Sequence, residues 1–85
     1  GTERKDRLRK ELKRIAEETD KWVEELKEEL ERILRTIEEL RKDPSSEVIV
    51  DIARIQLEAL REVIRVVAEN SKAILEAIHR VIEEG

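Results

Sequence analysis

Two residues near the end of the chain have a spacing that could bind a metal. Glu76 and His79 form the Glu-x-x-His pattern of carboxylate-bridged sites in helical bundles, where both side chains point into the core. On a helical wheel, however, both fall among charged residues, and His79 takes the place that Arg61 occupies eighteen residues earlier. The sequence therefore predicts a solvated surface pair and no metal site.

Other arrangements that could support catalysis are also weak. The chain has no Cys and one His, which excludes disulfides, thiol chemistry and zinc binding by cysteines. The carboxylates of Glu24, Glu25, Glu28 and Glu29 lie outside the apolar pattern, as is typical of a solvated surface. No Gly-rich phosphate loop or nucleophile elbow is present. We therefore predict that the protein is not an enzyme and binds no cofactor or small-molecule ligand.

The composition is typical of long helices. Charged residues make up 47% of the chain and apolar residues 39%, and Trp22 is the only aromatic residue. The net charge is −4 with both signs interspersed, so there is no concentrated basic face for nucleic acid. The charges also interrupt every apolar run, which predicts neither a membrane span nor a signal peptide and leaves the localisation open.

One break divides the chain into two halves. The segment Asp43–Ser46 contains the only proline, and Pro44 disfavours helical backbone at the residue before it. Strong helix formers fill the sequence on both sides. We predict helices over about 3–42 and 46–84, joined by a loop at 43–45. They form one all-α domain that spans the whole chain, a long antiparallel helical hairpin.

Hydroxyl side chains stand at both predicted helix starts. Thr2 precedes the first helix, and Ser45 or Ser46 precedes the second. A hydroxyl at this position accepts a hydrogen bond from a free amide of the first turn. We therefore expect these residues to act as N-caps.

The second helix has a repeat of eighteen residues. Between 48–65 and 66–83, fifteen of eighteen positions keep their apolar or charged character. Eighteen residues are about five turns, which predicts a nearly straight helix. Charged positions fill roughly 120° of its wheel and apolar ones the other roughly 240°, whereas the apolar arc of the first helix covers only roughly 140°.

These unequal arcs predict self-association. The narrow arc of the first helix cannot cover the wide arc of the second, so a lone hairpin would leave apolar surface in water. We predict a nearly straight two-ring helical bundle, with the second helices in an inner ring and the first helices outside. A trimer or a tetramer of the chain fits this arrangement, and a four-helix dimer fits less well.

Five polar residues lie within or beside the apolar arcs. Asn70 and Ser71 flank the centre of the second helix's arc, so that Asn70 of one chain can approach Ser71 of the next. Thr19 and Trp22 lie at a similar distance from the loop. Gln56 points near the arc's centre and could pair with its own symmetry mates. We predict a buried hydrogen-bond network that restricts register and partner number.

Three alternatives stay open. Ser71 could begin a third helix, which would give a monomeric three-helix bundle broken at Asn70–Ser71. The polar residues could also be tolerated singly, without a network. Finally, the chain could be a natural coiled-coil interaction module that binds a helix of another protein along its second helix.

The chain resembles computationally designed helical-hairpin homo-oligomers with buried hydrogen-bond networks. The resemblance covers the whole chain. It rests on the initial Gly-Thr, the loop Lys42–Ser46, the eighteen-residue pattern, and a few polar residues within a Val, Ile, Leu and Ala core. It implies a synthetic two-ring bundle whose purpose is specified self-assembly, without a natural substrate.

Overall fold

The chain forms two long helices. A computed structural model describes all residues from 1 to 85. Helix α1 spans Thr2–Glu39 and helix α2 spans Glu47–Glu84, and two 3-10 turns, Leu40–Lys42 and Pro44–Ser46, connect them. There is no strand. The all-α hairpin predicted from the sequence is thus confirmed.

The connection between the helices is longer than the predicted loop and is wound into two 3-10 turns. Helix α1 ends three residues before the predicted position, because residues 40–42 wind into a 3-10 turn. Asp43 has extended backbone (φ −96°, ψ 114°), as expected of a residue before proline. Its carboxylate accepts hydrogen bonds from the amide (3.1 Å) and the hydroxyl (2.9 Å) of Ser45. The side chain that fixes the turn is therefore an aspartate.

The predicted hydroxyl caps are not formed. Helix α1 begins at Thr2 itself, with Gly1 in the cap position. Ser46 precedes α2, but its side chain makes no capping hydrogen bond. Glu47 in the first turn of α2 supplies the negative charge that a helix N-terminus favours. The prediction of Thr2 as an N-cap is therefore wrong, since Gly1 takes that position. Ser46 takes the predicted position before α2 without the predicted hydrogen bond, and Asp43 caps the 3-10 turn that precedes it.

Helix α2 is continuous through its two adjacent polar residues. It runs over 38 residues and includes both Asn70 and Ser71. The segment contains no Gly or Pro that would break it. The chain therefore has two long helices rather than three.

The two helices pack antiparallel with a constant register. Three ion pairs join α1 to α2 and a fourth joins the first 3-10 turn to α2, and the two residue numbers add up to the same total in each. Only Val23, Leu30 and Val50 are buried. Half-buried side chains that extend this seam are Leu12, Ala16, Thr19, Leu26, Leu34 and Ile37 of α1 and Ala53, Leu57, Ile64, Ala68, Ser71, Leu75 and Ile82 of α2.

The hairpin is a thin rod. Its Cα atoms extend over 67 × 15 × 8 Å, with a radius of gyration of 19.5 Å. A compact domain of this length would have a radius of about 12 Å. Because every residue of such a rod lies near the surface, one seam is all the core that a single chain can build.

Candidate interaction surface

Helix α2 carries a wide apolar surface that α1 does not cover. The arc that contacts α1 takes up roughly 80° of the helix, and a further arc of roughly 140° has no partner in the chain. We call this second arc the apolar face. Its large exposed side chains are Val48, Ile49, Ile52, Ile55, Leu60, Val63, Val66, Val67, Ile74, Ile78 and Val81.

Helix α1 extends this surface along one flank. On its helical wheel, a row of exposed apolar residues lies opposite the flank that holds Arg9 and Glu31. The row therefore borders the apolar face of α2. Its members are Leu8, Ile15, Trp22 and Ile33, with Leu40 in the first 3-10 turn.

The opposite flank of the hairpin is charged. Here Glu83 accepts hydrogen bonds from Arg9 (2.6 Å to Nη2), and Arg41 pairs with Asp51 at 2.9 Å. The two further pairs between the helices, Arg61–Glu31 and Arg54–Glu38, lie on the same flank. We call this flank the charged edge. All these side chains remain in contact with solvent, so the ion pairs fix register more than they stabilise the fold.

The charged edge perturbs several carboxyl groups. Hydrogen bonds from Arg9 hold the pKa of Glu83 below its usual value, and Arg41 does the same to the pKa of Glu38. Along α2 itself, Arg65 lowers the pKa of Glu62. In each case the hydrogen bond favours the ionised carboxylate. These carboxylates are therefore ion-pair partners of the neighbouring arginines.

The hairpin exposes more surface than a compact protein of its mass. Its accessible surface is 6885 Å², whereas a compact monomer of 10.0 kDa has about 5,200 Å². The surplus of about 1,600 Å² on one chain is about twice the roughly 800 Å² that each partner buries in a standard protein–protein interface. The exposed side chains of the apolar face contribute to this additional surface.

The five polar residues predicted for the network fall into two groups. Thr19 and Ser71 are half-buried on the seam between the helices. Asn70 and Gln56 are exposed on the apolar face, and Trp22 is 55% exposed at its border. None of the five makes a side-chain hydrogen bond within the single chain, and no polar side-chain atom is buried without a partner.

The register of the hairpin places these residues at two positions along its long axis, which we call levels. The residue numbers of Trp22 and Asn70 have the same total as those of the ion pairs, so the two residues lie at one level. Thr19 and Ser71 lie within one turn of this level. Gln56 shares its level with Thr36, an exposed residue of α1. The residue numbers of Gln56 and Thr36 have the same total as those of the ion pairs, so this common level follows from the register of the hairpin and not from the sequence pattern of either helix.

The Glu-x-x-His pair lies on the charged edge, as the wheel predicted. Glu76 and His79 are exposed and line an open groove of about 730 Å³, together with Arg9 and Lys72. Nowhere in the chain do three His, Cys, Asp or Glu side chains come close enough to hold a metal ion.

Comparisons with known proteins add no relative. No family model, no curated protein and no solved structure matches the chain. Neither helix has a stretch both long and apolar enough to cross a membrane.

Proposed function

We propose that the protein is a structural element that assembles with copies of itself through the apolar face, and that it is not an enzyme. In this assembly α2 lies inside and α1 outside, as a closed two-ring bundle of three or four hairpins. The observation that supports the proposal is the continuous apolar face, which no part of the chain covers. Soluble monomers rarely expose apolar patches above a few hundred Å².

The width of the apolar face supports a closed ring. One neighbour packed against α2 covers only part of the exposed arc of roughly 140°, because a helix contacts each partner over a limited sector. A second neighbour on the other flank covers the rest. Each hairpin of a ring has two such neighbours, and the charged edge remains outside in water.

The amide side chains of the face supply specificity. Asn70 and Gln56 would be buried on assembly, and an amide without a hydrogen-bond partner there costs about 1–3 kcal/mol. Only arrangements that pair these amides avoid this cost. The regular sequence pattern, which resembles that of designed hairpin oligomers, also supports specified self-assembly as the purpose of the chain.

A pair of substitutions tests the proposal. Val63→Glu places a charge in the middle of the apolar face, where its burial costs several kcal/mol. Glu58→Gln removes a charge from the neighbouring solvated sector of α2 and is the matched control. We expect light scattering to give three or four times 10.0 kDa for the unmodified chain and for Glu58→Gln, and a single-chain mass for Val63→Glu.

The second candidate is an interaction module for another protein. The same apolar face can accept an amphipathic helix from a different chain. In that case the unmodified protein has the mass of a single chain and binds a dye specific for apolar surfaces. A discrete mass of three or four chains that persists in Val63→Glu would contradict both candidates, because neither places the contact elsewhere.

A further inference from the structure

We propose that neighbouring copies pack antiparallel along α2, about a two-fold axis at Val63, so that Gln56 of one chain hydrogen-bonds Asn70 of the next. The inference rests on the proposed self-assembly and adds the orientation of the second copy. It follows from the positions of the polar groups on the apolar face.

The two amides of the chain are placed symmetrically. The sequence contains one Gln and one Asn, and both lie on the apolar face of α2. Gln56 precedes Val63 by seven residues and Asn70 follows it by seven, which is about 10 Å in either direction. A two-fold axis perpendicular to the helix at Val63 exchanges these two levels. Gln56 of each chain then faces Asn70 of the neighbouring chain, and the two Gln56–Asn70 pairs form at the same time.

Helix α1 repeats the same symmetry. Trp22 lies level with Asn70, and Thr36 lies level with Gln56, so the two-fold axis brings Trp22 to the level of the neighbour's Thr36. The Thr36 hydroxyl donates to the carbonyl oxygen of Arg32 (3.0 Å), which leaves its lone pairs free. The indole N–H of Trp22 can only donate. Each polar layer thus combines Trp22 and Asn70 of one chain with Thr36 and Gln56 of the other.

A parallel arrangement matches the polar groups less well. It places Gln56 opposite Gln56 and Asn70 opposite Asn70, in two separate layers. It also aligns residues 17–31 of every α1 at one level, and this segment holds eight acidic and two basic residues. In the antiparallel arrangement only residues 27–31 of two neighbours share a level. Repulsion between like charges therefore favours the antiparallel orientation.

The length of the overlap fits the same axis. Helix α2 runs from residue 47 to residue 84, so a two-fold axis at Val63 pairs residues 47–79 of each copy. Nearly the whole apolar face is then covered. A closed ring can alternate in direction only with an even number of members, so the inference selects four hairpins over three, with dihedral symmetry.

Disulfide trapping tests the orientation. The chain has no Cys, so single cysteines report their own contacts. Ile52 and Ile74 are each eleven residues from Val63, and both are exposed on the apolar face. We expect Ile52→Cys and Ile74→Cys, mixed, unfolded and refolded together under oxidation, to form a crossed disulfide dimer. Each variant alone should remain uncrosslinked, because the cysteines of neighbouring copies lie some 30 Å apart along the helices. Diagonal copies run parallel, but the width of the ring keeps their cysteines farther apart than the about 7 Å between Cα atoms that a disulfide can span.

Val63→Cys is the control, because it crosslinks to itself in either orientation. Disulfide dimers of Ile52→Cys alone and of Ile74→Cys alone would show a parallel ring and overturn the inference, while leaving the proposed self-assembly intact. Crosslinking of Val63→Cys without the crossed dimer would place the axis in another register and overturn it as well. If no variant crosslinks and the chain has a single-chain mass, the proposed function itself fails.

Discussion

The charged edge and the apolar face both include residues of α2, but they differ in the contacts that they make within the chain. The charged edge contains all four ion pairs that connect α2 to the preceding part of the chain, yet its side chains stay in water, where such pairs contribute little. The apolar face is left uncovered by α1, although its exposed side chains are the large hydrophobic ones. The ion pairs of the charged edge therefore contribute little, and burial of the apolar face requires further copies.

The largest expected effect tests whether the face is covered. Leu30 is buried in the seam (3% exposed), whereas Leu60 at the border of the apolar face is 48% exposed. Replacing a buried leucine by alanine costs about 2–5 kcal/mol of unfolding free energy. We expect Leu30→Ala and Leu60→Ala to fall in this same range in denaturant unfolding at equal protein concentration. A near-zero loss for Leu60→Ala would mean that the apolar face stays open.

An intermediate effect concerns the amides. Asn70→Leu should keep the helical content measured by circular dichroism, but should populate more than one oligomeric mass. It also leaves the facing Gln56 without a partner, at a cost of about 1–3 kcal/mol. The double variant with Gln56→Leu should recover part of this loss, as a double-mutant cycle can measure. If Asn70→Leu retained one unchanged mass in light scattering, Asn70 would have no role in specificity.

The smallest effect is expected at the charged edge. The pKa values of Glu38, Glu62 and Glu83 are lowered in the folded chain, so these groups bind fewer protons there than in the unfolded chain. Their contribution to stability is present above the ordinary carboxyl value of 4.5 and is lost as the pH falls through the lowered values.

We therefore expect a slightly lower thermal midpoint at pH 3 than at pH 7, with the oligomeric mass retained. Both midpoints should be measured in high salt, which screens the net positive charge that the chain gains when its carboxylates are protonated. Glu62→Gln should reduce the difference between the two midpoints. Dissociation that follows the carboxyl titration under these conditions would show that the charged edge, and not the apolar face, holds the copies together.

The helices could be predicted from the sequence because their signals are local. The eighteen-residue pattern, the helix formers and Pro44 determine two helices and one turn without reference to other parts of the chain. The capping residue could not be predicted as readily. Three neighbouring side chains, Asp43, Ser45 and Ser46, can all accept from a free amide, and the backbone geometry of the turn selects Asp43.

The register was harder to predict than the helices. Counting from the loop places Asn70 level with Thr19, whereas the ion pairs place it level with Trp22. The two registers differ by three residues, so the connection leaves one helix displaced along the other. Gln56 and Thr36 share a level because of this displacement. The sequence pattern of one helix carries no information about its position along the other helix.

The most direct test of the central claim is the mass of the unmodified chain over a dilution series in sedimentation equilibrium. If the apolar face is buried against other copies, a discrete species should persist over a wide concentration range and then dissociate to 10.0 kDa. The antiparallel arrangement sets that species at four chains. A single-chain mass at every concentration would contradict the account.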